Sequence, residues 1–172
     1  ADNTTPKYTI VVQATNINTL VQSVYTVGTS SMTIAIDKTA PTVAFTAPPT
    51  EGAAYQPGNI GQAGSGTRFR GTSNDAGTYA SNVNQVNVRL SYLLNGDTYY
   101  WTGAAFSSTT ENAQTAWETV SSTNPWTYTT SIDWPVDASH LMTLEAAATD
   151  YASLGNGAGT GNIGAISTVT FR

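Results

Sequence analysis

Three aspartates, Asp37, Asp75 and Asp150, are the residues of this sequence best suited to hold an ion. Each stands in a run of turn-forming residues. Asp37 opens Asp37-Lys38-Thr39-Ala40-Pro41-Thr42, Asp75 sits in Ser73-Asn74-Asp75-Ala76-Gly77, and Asp150 precedes a Gly- and Asn-rich stretch from Tyr151 to Gly164. Carboxylates gathered from flexible loops, with backbone carbonyls beside them, match calcium, which takes roughly six to eight oxygen ligands. The plainer reading of each is that Asp is a good turn and capping residue. Acid-base chemistry has a weaker footing. Asp133 with Asp137, or Glu111 with Glu118, would supply the carboxylate pair of a glycosidase, and His140 near Asp137 a base. No nucleophile motif accompanies them, and His140 also reads as a turn residue before a strand starting at Leu141, so catalysis is not expected. A third group is aromatic: Tyr99, Tyr100, Trp101, Phe106, Trp117, Trp126, Tyr128 and Trp134 crowd the stretch from residue 99 to residue 134. Exposed and coplanar, Trp101, Trp117 and Trp134 would stack on sugars and make this a carbohydrate-binding or adhesive module. Their spread over several elements favours packing instead, with Tyr100, Trp101 and Trp126 mostly buried.

The elements that must position these residues are strands. Alternating runs at Tyr8 to Asn16, Ser31 to Ile36, Thr42 to Thr46, Thr67 to Thr72, Val86 to Leu93, Thr98 to Trp101, Trp126 to Ile132, Met142 to Asp150 and Ser167 to Phe171 are separated by turn signals. Asn95-Gly96 supplies the positive φ angles of a type I′ hairpin turn. Ser73 to Gly77 reads as a turn, and a helical turn is expected around Ala113 to Val120. From Thr42 onward there are about seven strands, which fits an immunoglobulin-type antiparallel sandwich. In that topology the linker, the loop after the second strand and the last interstrand loop meet at one end, so the three aspartates should converge.

The first two strands copy the last two. Asn16 aligns with Asp150 at an offset of 134 residues and Thr33 with Thr168 at 135. An offset held through two strands marks a tandem array. Residues 1–37 therefore read as the closing hairpin of a preceding repeat, and residues 38–172 as one complete repeat. A fragment of that length without disulfide or metal lacks a core of its own. Tyr8, Ile10, Val12, Ile34 and Ile36 should be completed by a neighbouring copy, either in the same chain or in another subunit.

Composition narrows the setting. Charged residues make up 10% of the chain, against about a quarter in ordinary globular domains, and Thr, Ser, Asn, Gly and Ala take their place. Such a surface suits a secreted or cell-surface protein. A net charge of −5 with six Lys and Arg excludes a basic nucleic-acid footprint. The absence of cysteine removes disulfides and thiolate metal sites. No apolar run reaches the roughly 18 residues of a membrane span. Asn3-Thr4-Thr5 is a glycosylation sequon, and Ala1-Asp2-Asn3 is not a signal peptide.

Four pieces carry a family resemblance: D-x-T-A-P-T (Asp37 to Thr42), G-T-x-x-D-A-G (Gly71 to Gly77), Y-W-x-G-x-x-aromatic (Tyr100 to Phe106), and A-T-D (Ala148 to Asp150). Together they resemble the bacterial immunoglobulin-like tandem repeats of large surface and adhesin-type proteins. The resemblance implies an extracellular or cell-surface bacterial spacer, stalk or fibre module, with neighbouring copies as partners and no catalysis. Two positions depart from the pattern: Asn16 stands where the second copy has Asp150, and Phe106 stands where tryptophan is more usual. The Lys–Asn crosslink of some surface domains would need Lys7 or Lys38, and neither is placed in a core.

Overall fold

Alternation in the sequence becomes strand along most of the chain. The architecture comes from a computed structural model that describes residues 7–62, 68–120, 122–136, 139–152 and 161–172. The sequon at Asn3 and the carboxylate Asp137 lie outside the described residues. Among the described residues eleven strands are formed: β1 (Tyr8–Val11), β2 (Ser31–Ile34), β3 (Thr42–Ala47), β4 (Arg70–Asn74), β5 (Val83–Leu94), β6 (Asp97–Trp101), β7 (Phe106–Ser107), β8 (Glu118–Thr119), β9 (Trp126–Thr127), β10 (Met142–Asp150) and β11 (Ser167–Phe171). The chain is an all-β antiparallel sandwich. One sheet runs β3-β4-β9 and the other β11-β10-β5-β6-β7, with β8 against β5.

The core lies between these sheets. β10 alternates without a break, burying Met142, Leu144, Ala146, Ala148 and Asp150, and β5 buries Val86, Val88, Leu90 and Tyr92. Phe69, Trp126, Tyr128 and Ile132 join the same core, as do Val169 and Phe171 from β11, the neighbour of β10 in its own sheet. Trp126 is fully buried, with Phe45 edge-on at 5.5 Å. Gly71 explains how so large a ring fits. A Cβ there would fall 1.9 Å from the Ala44 carbonyl oxygen and 2.5 Å from the Trp126 ring, so β4 needs a residue without a side chain where the indole crosses it.

The β5–β6 turn has φ of 54° at Asn95 and 96° at Gly96, as a type I′ turn requires. Three expectations are corrected. β4 continues through Ser73 and Asn74, because they pair with Val43 and Thr42 of β3, and Ser73 also donates its hydroxyl to the Thr123 carbonyl at 2.6 Å, so the turn starts only at Asp75. The strand expected from Trp126 to Ile132 pairs with β4 over Trp126 and Thr127 alone; beyond it, Ile132 N–H donates to the Gly61 carbonyl at 2.9 Å. The one helical turn expected around Ala113 to Val120 is closed by Ala116 N–H on the Asn112 carbonyl and ends before Glu118 and Thr119, which form β8. Tertiary contacts override propensity there. Arg89 pairs with Glu145 at 2.7 Å, donates to the Ala113 carbonyl and lies 4.5 Å from the Trp117 ring centroid, which ties the insertion down to β8.

β1 and β2 form a separate two-stranded sheet. Among the described residues the hydrophobic core cluster of the sandwich draws none from before Val43, and of the linker only Pro41 is fully buried. Tyr8, Ile10, Val12, Ile34 and Ile36 are exposed at 43, 51, 67, 36 and 38%. Lys7 and Lys38 are exposed too. The turn after the first strand reproduces the hydrogen bonds of the turn after β10. Asn18 and Leu20 N–H donate to Asn16 Oδ1 at 2.9 and 3.0 Å, as Ala152 and Asn162 N–H donate to Asp150 Oδ1 at 2.9 and 2.8 Å. Asn16 N–H to Leu20 and Gln22 N–H to Ala14 are matched by Asp150 N–H to Asn162 and Gly164 N–H to Ala148. The bridge Thr15–Val21 is matched by Thr149–Ile163.

Candidate metal centre

Strand ends bring the aspartates together. Asp150 closes β10, Asp75 follows β4, and Asp37 lies in the linker that enters β3. One carboxylate oxygen from each lies within 4.8 Å of the others. The linker is fastened at this end of the sandwich. Asp37 accepts from Thr39 N–H at 3.0 Å through Oδ1 and from Ser81 N–H at 2.7 Å through Oδ2. Asn162 Nδ2 donates to Asp150 Oδ2 at 2.8 Å and faces the carbonyls of Asp37 and Thr39 at 3.4 Å. Gly161 adopts φ of +69°, and a Cβ there would sit 2.2 Å from the Asp150 carbonyl oxygen. This position requires glycine twice over.

Asp75 is the exception among the three. Its residue surface is partly exposed, yet both carboxylate oxygens are buried and without a hydrogen-bond partner, and the buried Ser81 hydroxyl is in the same condition. Burial pushes the Asp75 pKa up, and the charges of Asp37 and Asp150 push it further. The backbone N–H groups of Asn82 and Ser81 approach and pull the other way, without forming bonds of good geometry. No other buried side-chain oxygen or nitrogen among the described residues lacks a partner. Orphaned polar atoms are costly, and here they coincide with the carboxylate cluster.

This donor set fits a hard cation. Two oxygens bound about 2.3–2.6 Å from one calcium ion can be at most roughly 5 Å apart, and the three carboxylates meet that limit. An all-oxygen site without His or Cys does not suit zinc or copper. A cation would take up the unpaired oxygens of Asp75 and join the linker to both loops.

The remaining candidates are dispersed. Among the described residues the aspartates are the one cluster of three or more His, Cys, Asp or Glu. His140 stacks on Tyr92 with centroids 4.4 Å apart, Asp133 is exposed, and Glu111 and Glu118 are half-buried. Trp101 cannot be a sugar platform, because it is 2% exposed and spends its N–H on the Tyr128 hydroxyl at 2.8 Å. Trp117 lies under Arg89, and Trp134 donates to the Ile60 carbonyl at 3.1 Å while packing edge-on against Phe171. Ser81 and Asn162 were not legible as site residues. Both sit in polar loops with no distinguishing neighbour, and only the register of the flanking strands brings them in. Set against family models, curated proteins and solved structures, the chain finds no match.

Proposed function

We propose that this chain is a spacer or fibre segment of an extracellular tandem array, in which the hairpin of residues 1–37 closes a neighbouring module and calcium stiffens the joint at Asp37, Asp75 and Asp150. One observation carries the reading: an apolar hairpin that repeats the closing pair stands outside the core. The counterparts of Tyr8, Ile10, Val12, Ile34 and Ile36 in β10 and β11 are Met142, Leu144, Ala146, Val169 and Phe171, and all of these are buried. β10 is bonded along its outer edge to β5 from Met142 to Asp150, whereas β1 pairs only with β2 among the described residues. An open strand edge with exposed apolar side chains calls for a partner. The order of the two sheets, with the first, second and a later strand in one and the closing pair beside a central strand in the other, also supports an immunoglobulin-type module. The sugar-binding reading finds no set of exposed coplanar tryptophans to support it.

The test supplies the missing strands. Placing residues 38–141 directly before Tyr8 keeps the offset of 134 and offers the hairpin copies of β3 to β9. Amide exchange at Ile10, Val12 and Ile34 should slow at least about a hundredfold relative to the unmodified chain, as core strands do when they open only with the whole fold. Val12 takes the place of Ala146, which is fully buried, so a Val12→Ala form is made in parallel. Unprotected hairpin amides in both forms would overturn the proposal.

A further inference from the structure

The sandwich carries a cavity of about 110 Å³ at the end opposite the aspartates, lined chiefly by Tyr55, Ile60, Trp134, His140, Met142 and Phe171. Its wall is aromatic, and beside it Val136 is fully exposed and Leu141 is 48% exposed. The chain also contains a contact that indicates what such an end meets. At the upstream joint the Nζ of Lys7 lies 5.5 Å from the ring centroid of Tyr79, in the loop between β4 and β5. There the distal end of the hairpin touches the proximal loops of the next module. Lys7 and Tyr8 align with Leu141 and Met142 at the offset of 134, and Ile36 aligns with Phe171 at 135. The contact of Lys7 with Tyr79 therefore maps onto Leu141, between the lining residues His140 and Met142 and so beside this cavity.

We infer that the cavity is a socket for the 76–82 loop of a following module of the same kind, with the counterpart of Tyr79 as its plug. The inference rests on the array reading and names the partner at the other end of the module. At the upstream joint the ring meets an ammonium, a cation–π contact. At this end Leu141 stands in place of Lys7, and the hollow the ring meets is lined mainly by aromatic and apolar side chains, with Ser139 and Arg172 also in its wall. A cavity somewhat smaller than the roughly 150 Å³ that accepts benzene, and open on one side, admits a phenol ring only part-way. A plug that enters from outside and leaves its hydroxyl at the rim suits that shape.

The experiment appends residues 38–172 directly after Arg172 of the full chain. Arg172 then occupies the place of Asp37, so this second joint lacks the linker carboxylate and its behaviour is separate from any calcium effect. The sequence has no cysteine, so Leu141→Cys in the first module gives a single thiol beside the cavity, between the lining residues His140 and Met142. Its reaction with a maleimide should be at least about tenfold slower in the fusion than in the unfused chain, with or without EDTA, because thiol reactivity follows access. Tyr79→Ala in the appended copy should restore the faster rate. Equal labelling of fused and unfused chains overturns the socket, and protection that survives Tyr79→Ala overturns the assignment of the plug. Protected hairpin amides in the upstream fusion, alongside a freely labelled thiol in the Leu141→Cys fusion, would leave the array reading standing and remove this inference alone.

Discussion

Replacing Asp75 by Asn separates an ion site from a merely acidic loop end, because the two predict opposite signs in the absence of calcium. The carboxylates approach within 4.8 Å, and at an effective dielectric of about 20 a pair of unit charges at that distance repels by about 3.5 kcal/mol. Asp75 takes part in two such pairs. Solvent on the open side of the cluster screens much of this, so about 1–3 kcal/mol of relief is expected when the charge is removed. In EDTA, Asp75→Asn should therefore melt higher than wild type, by about 3–9 °C for a chain of this size. Calcium should reverse the order. Extracellular modules bind it with Kd near roughly 0.1–1 mM, so about 10 mM calcium adds about 1.4–2.7 kcal/mol to the wild type by mass action. The variant, short of one charged ligand, gains little. Differential scanning fluorimetry with and without calcium reads the crossover directly. A variant less stable than wild type in EDTA, together with no calcium response in the wild type, would refute the electrostatic reasoning and make Asp75 an ordinary loop residue.

Burial of Asp75, and after it the same repulsion, fixes the sign of a pH effect. With the Asp75 pKa raised on folding, the native state binds more protons than the unfolded one, so this contribution is full below the ordinary aspartate value and is lost as pH rises through the raised one. Glu51 runs the other way, since the Thr170 hydroxyl and N–H lower its pKa. The quantity to measure is therefore the stability difference between Asp75→Asn and wild type in EDTA, which should be near zero at about pH 3 and grow towards neutrality; a flat difference would exclude the effect. Trp126→Ala should cost about 3–5 kcal/mol in urea unfolding, since the ring is fully buried; a loss under about 1 kcal/mol would contradict its central place in the core.

Legibility followed the length of the alternating runs. The bounds of β10 and β11 were readable to the residue, because every second side chain of β10 faces the core and turn-forming loops flank both strands. The convergence of Asp37, Asp75 and Asp150 was readable for a related reason: strand order alone decides which loops share an end. What failed depended on single long-range bonds. Nothing local to Ala113 announces that Arg89 will hold its carbonyl, and nothing near Gly52 announces that residues 52–55 will run along the outer edge of β11. There Gly52 N–H donates to the Thr170 carbonyl at 2.7 Å and Arg172 N–H to the Ala53 carbonyl at 2.8 Å. The unpaired state of Asp75 was also out of reach, since it depends on which amides the loop from 76 to 82 turns away.

That cover over β11 sharpens the contrast with the hairpin, because β1 and β2 hold the same strand types without either kind of cover. Their pairing bears the mark of its absence. Tyr8 stands opposite Ile34, whereas its counterpart Met142 stands opposite Phe171, the counterpart of Ile36. The hairpin is thus slipped by two residues relative to the closing pair. A slip of one would turn every apolar side chain to the other face, while a slip of two keeps the faces and changes only which neighbours meet. In the sandwich, β5 and the opposing sheet choose among the registers that parity allows. In the hairpin nothing chooses, since a two-stranded sheet alone is marginal and its apolar face touches no core. Parity is a property of the hairpin's own sequence and is kept; register is a property of the missing neighbours and is not. The same division explains why residues 8–36 keep the hydrogen bonds of the Asn16 turn, which are local, and lose the alignment at Ile36, which depends on a partner.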